Sequence, residues 1–68
     1  MIKVQECINT DANSNSYKIS AFADTKAEVV SGTFIGLPEG AEIEMGSTVM
    51  TAAGELAFMK SDGTWSWT

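Results

Sequence analysis

Between Gly46 and Thr68, three apolar runs are separated by two glycine turns, and this pattern restricts the fold more than any other stretch. Gly46-Ser47-Thr48-Val49-Met50-Thr51-Ala52-Ala53 leads into Gly54-Glu55, Leu56-Ala57-Phe58-Met59-Lys60 into Ser61-Asp62-Gly63, and Thr64-Trp65-Ser66-Trp67-Thr68 follows. Gly54 beside Glu55, and Gly63 after Asp62, place the residue that tolerates positive φ where a hairpin requires it. Connections this short leave no room for a crossover, so the three predicted strands are antiparallel neighbours in a meander.

Upstream, Ile2 to Ile8 alternate, with Ile2, Val4 and Ile8 on one predicted face and Lys3, Gln5 and Cys7 on the other; this is the period of a half-buried strand. Glu6 interrupts the apolar side. The polar run from Asn9 to Ser16 reads as a loop, and as the most mobile part of the chain. Tyr17 to Ala23 alternate again, with Tyr17, Ile19 and Ala21 facing one way, so the two strands are expected to form a long hairpin. Thr25 and Glu28 have the spacing of a capping box, in which hydroxyl and carboxylate satisfy free amides at a helix start. The predicted helix is one or two turns, from Lys26 to about Val30, ended by Ser31 and Gly32. Thr33 to Leu37 are a short strand or a crossing segment, and Pro38-Glu39-Gly40 a turn. The expected fold is therefore mainly β: one domain over residues 1–68, a small antiparallel sheet or meander of about five strands with one short helix.

A chain of 68 residues leaves much of its surface wet, since a domain of about 60 residues buries only about 60% of what its unfolded form exposes. Disulfides, a metal or oligomerisation are the usual supplements. One cysteine, Cys7, precludes an internal disulfide, and one cysteine with no histidine leaves a structural zinc site without ligands. Oligomerisation is the remaining expectation. Four lysines, no arginine and nine acidic residues give a net charge of −5, which repels phosphate and argues against a nucleic-acid partner. No apolar run approaches the roughly 20 residues of a membrane span. Met1 to Glu6 lack the basic and apolar sequence of a secretion signal, so synthesis and assembly are expected in a cytoplasm.

The inventory for catalysis is nearly empty, and no enzyme and no cofactor are expected. There is no histidine to act as a base near neutral pH, and Cys7, without a partner to activate it, reads as a packed or interfacial thiol. Glu39, Glu42, Glu44 and Glu55 flank turns, where carboxylates are ordinarily solvated; a divalent cation would need several further oxygens. Trp65 and Trp67, two apart in a strand, share a face. They either cap the domain's own core with Leu56 and Phe58, or meet a subunit or ligand. The meander is also read with Met50 and Met59 opposite the tryptophans, beside Ala52 and Ala57. A sheet apolar on both sides is more than a chain of this size covers by itself. Met50, Phe58, Met59, Trp65 and Trp67 are accordingly the expected oligomer interface, and replacing Met59 with Lys is expected to break the assembly.

Phe22-Ala23-Asp24-Thr25-Lys26-Ala27-Glu28-Val29, together with Leu37-Pro38-Glu39-Gly40, Gly46-Ser47, Gly54-Glu55-Leu56 and Asp62-Gly63-Thr64-Trp65, resembles small tailed-phage and prophage virion proteins of the head-decoration or head-fibre type. The likeness spans about two thirds of the chain and leaves the N-terminal hairpin and the Asn/Ser loop outside it. It implies a non-enzymatic virion structural protein, a homotrimer, and partners among capsid or other virion proteins. The alternative is a carbohydrate- or receptor-binding module using Trp65, Trp67 and Tyr17.

Overall fold

A computed structural model describes residues 1–68, with the side chain of Ser31 left aside. The chain forms a single mixed sheet and one helix, in the order β1 (Ile2–Asn9), β2 (Ser16–Ala23), α1 (Lys26–Ser31), β3 (Phe34–Ile35), β4 (Glu42–Ile43), β5 (Thr48–Thr51), β6 (Leu56–Met59) and β7 (Trp65–Trp67). Across the sheet the strands run β3-β1-β2-β5-β6-β7, and β4 lies on β2 beyond the end of β5. The mainly β fold with one short helix is as expected, and β1, β2, β5, β6 and β7 are the five longer strands. The two-residue strands β3 and β4 add to them, and three pairings are parallel: β1 with β3, β2 with β4, and β2 with β5.

The meander forms as its glycines dictate. In each hairpin a three-residue loop ends on a glycine at φ +85°, Gly54 or Gly63. The Gly54 amide donates to the Thr51 carbonyl at 3.0 Å and Thr51 N–H to Glu55 O at 2.9 Å. Gly63 and Lys60 repeat this with Lys60 O and Thr64 O, at 3.1 and 2.9 Å. Both are the turn-plus-bulge connection that twists with the strands. At α1, Thr25 is the N-cap of the anticipated capping box, and the Glu28 carboxylate accepts the Thr25 and Asp24 amides at 3.1 and 3.0 Å.

Register sorts the side chains onto two faces. The inner face carries Ile2, Ile19, Ala21, Ala23, Val49, Ala57 and Met59, all buried, with Val29 of α1 packed against them. Val4, Tyr17, Phe34, Leu37, Ile43, Trp65 and Trp67 surround this core. Trp67 stands opposite Ala57, a large ring over a small neighbour, which is how an alanine-rich face fills its volume. The N–H of Ile19 falls where β4 has ended on β2 and β5 has not begun. The hydroxyl of Ser47, fully buried, accepts it at 2.9 Å.

Two strand readings are corrected by the register. A bulge between Val4 and Glu6 adds a residue to β1, so Cys7 pairs with Ile19 and Ile8 with Lys18. Ile8 thereby leaves the side of Ile2 and Val4 and is exposed, and Cys7, read as a packed or interfacial thiol, is exposed as well and so is not packed within the chain. Met59 is also not on the side of Met50. It stands opposite Trp65 and is only 8% exposed. The reason is parity: a three-residue loop pairs even positions with even and odd with odd, as in Met50 with Leu56 and Val49 with Ala57.

Candidate functional site

The outer face of the sheet is the feature that the fold leaves open. Strand register lays its side chains in two rows. The first runs Ile35, Lys3, Phe22, Met50, Leu56 across β3, β1, β2, β5 and β6. The second runs Glu6, Ser20, Thr48, Phe58, Ser66 across β1, β2, β5, β6 and β7. Ile35 is 47% exposed, Phe22 37%, Met50 50% and Phe58 40%. Single exposed apolar side chains are ordinary, whereas neighbours sharing one face form a patch of the kind that marks an interaction surface.

Charge is distributed unevenly around this patch. Lys3 and Glu6 lie in the two rows, and Lys18 and Glu42 follow on the same side toward the β4 end. Within the two rows themselves Lys3 and Glu6 cancel, so the patch they border carries no net charge.

The expected interface residues thus separate into two groups. Met50 and Phe58 lie together on the open face. Met59 is in the core, and Trp65 and Trp67 border it, both half-buried. The pairing of the tryptophans with Leu56 and Phe58 also fails, because those two side chains project from the opposite side. Trp65 instead stacks on Phe34, with ring centroids 6.1 Å apart and planes 14° from parallel. The ammonium of Lys26 sits 4.9 Å from the Trp67 ring centroid, a cation–π contact, and 3.9 Å from Glu55. Each indole therefore has one ring face occupied from within the chain. β3 and β7 are opposite edges of the sheet, so the Phe34–Trp65 stack also shows that the sheet curls toward its inner side and that the outer face is convex.

Three other carboxylates, those of Glu44, Glu55 and Asp62, have local roles. Glu44 accepts the hydroxyl of Thr10, tying the Asn/Ser loop to the segment before β5. Glu55 accepts the Thr51 hydroxyl at 3.3 Å. Asp62 accepts the hydroxyl and amide of Thr64 at 2.7 and 3.0 Å, and these two bonds hold its carboxyl below the ordinary value of 3.8. No group of three or more metal-ligating side chains occurs among the described residues.

Phe22, Ile35 and Leu56 were not among the expected surface residues. The signal for Phe22 was present, since it alternates against Ile19 and Ala21 within β2. Ile35 joins the patch only through the parallel pairing of β3 with β1, which no local pattern announces. Compared with protein-family models, with curated proteins and with solved structures, the chain has no match in any of the three.

Proposed function

We propose that this chain is a non-enzymatic structural protein of a phage virion, a capsid-decoration or head-fibre component that works by oligomeric assembly. The supporting observation is the convex outer face: large apolar side chains from four strands, Ile35, Phe22, Met50 and Phe58, meet water on a patch without net charge. In a chain of 68 residues such a surface is costly to leave wet, and covering it is the third way a small domain gains stability. The likeness of its Asp24-Thr25-Lys26-Ala27-Glu28-Val29 and Asp62-Gly63-Thr64-Trp65 segments to virion proteins supplies the class of assembly, with a virion as its location and a homotrimer as the count implied.

Co-sedimentation with capsids tests the reading, alongside the melting temperature followed over protein concentration. A folded unit stabilised by association melts higher as concentration rises. Binding to capsids that is lost on Phe58→Asp is the expected result. No binding, with a melting temperature independent of concentration, refutes it.

A further inference from the structure

The pattern of the outer face is complementary to itself. The first row is large (Ile35, Lys3, Phe22, Met50, Leu56), and the second is small or acidic apart from Phe58 (Glu6, Ser20, Thr48, Phe58, Ser66). When two such sheets face each other across a two-fold axis that runs across the strands between the rows, the first row of one copy lies over the second row of the other, strand for strand. Phe22 then meets Ser20 of the second copy, Met50 meets Thr48, and Leu56 meets Phe58. Lys3 meets Glu6, so the only charges in the two rows fall in opposite-sign pairs, each formed twice as an isologous contact demands. We infer that the outer face is covered by a second copy of this chain in this face-to-face arrangement, with Lys3 and Glu6 of the two copies fixing the register.

Size and shape set the strength. Five strands about 4.8 Å apart and two rows roughly 7 Å apart give a patch of about 330 Å² per copy, short of the roughly 800 Å² per partner of a standard interface. Convexity confines close approach to β2, β5 and β6, and the longer Lys3 and Glu6 side chains bridge the gap at the flank. The pair is therefore a weak one, exchanging between the micromolar and millimolar range of dissociation constants. Within the two rows Lys3 and Glu6 carry the only charges, and they are opposite in sign, which keeps repulsion across the contact low.

This inference rests on the assembly reading but replaces the count of three with two. Its test is sedimentation equilibrium over that concentration range on Lys3→Glu, on Glu6→Lys, and on an equimolar mixture of them. Both positions are exposed, so the fold tolerates either change. The parent is expected to approach twice its mass of 7.2 kDa. Each variant alone places like charges opposite each other and is expected to associate roughly tenfold more weakly. Mixed, the two restore opposite charges between copies and are expected to pair as the parent does. Non-specific attraction does not explain such rescue, because the variants carry formal charges of −7 and −3, two units either side of the parent's −5. Variants that associate like the parent, or a mixture that does not recover, overturn the face-to-face register and leave the assembly reading standing. A parent that stays at 7.2 kDa throughout overturns both.

Discussion

Replacing Ser47 with Ala tests how β2 is joined at the gap between β4 and β5. The hydroxyl is fully buried and accepts the Ile19 amide at 2.9 Å, where neither β4 nor β5 supplies a carbonyl. Alanine removes the acceptor without adding volume. An amide left unsatisfied in a buried site costs about 1–3 kcal/mol, and a domain of 60–100 residues loses about 4–8 °C of melting temperature per kcal/mol. A loss near the middle of that range, about 2 kcal/mol, lowers Tm by roughly 10 °C. Thermal unfolding followed by far-UV circular dichroism measures the shift, and hydrogen exchange at the Ile19 amide locates it. Ser61→Ala, in the exposed turn before β7, is the control and should stay within about 0.5 kcal/mol of the parent. A Tm within roughly 2 °C of the parent, with the Ile19 amide exchanging as slowly as before, would refute the assignment of Ser47 as the bond that closes the ladder.

Three further outcomes are expected. Met59→Lys places an ammonium at a core position and should unfold the domain or lower its stability by several kcal/mol, whereas Met50→Lys keeps the fold and weakens self-association; denaturant titration and sedimentation separate the two effects. Gly63→Ala has space for its methyl but not the backbone, since φ is +85° and nothing lies within 4 Å, so urea unfolding should show a loss of about 1 kcal/mol from conformation alone. Asp62 is held below 3.8 by Thr64. Its contribution is therefore present above the unfolded value and lost as pH falls through the folded one, and a carboxyl NMR titration should give a midpoint that rises on Thr64→Val.

The hairpins and the helix were legible because single residues determine them. Gly54 and Gly63 supply the positive φ of their loops, and Thr25 with Glu28 builds the helix start. What the pattern could not give was longer in range. The parallel pairing of β2 with β5 joins segments about 28 residues apart in sequence, and nothing in either strand marks the other as its neighbour. The bulge in β1 moves Ile8 to the outer side without a glycine to signal it. Met59 lies on the inner side, against its expected place beside Met50, because its position follows from loop length and not from its own character. The surface itself was half legible: a sheet apolar on both faces is what the alternation implies, but the helix and the β3 segment cover the face that holds the tryptophans. Met50 and Phe58 are left on the open one.

Association through the open face, as proposed, would cover the side of the sheet bearing Met50 and leave the side bearing Met59 as it is in a single copy. The two methionine methyl groups report on this directly in a carbon-13 NMR dilution series. The Met50 methyl should shift with protein concentration and be shielded from a soluble paramagnetic probe as concentration rises, while the Met59 methyl stays fixed and protected throughout. A Met50 signal that is independent of concentration, or a Met59 signal that moves in its place, would contradict the account.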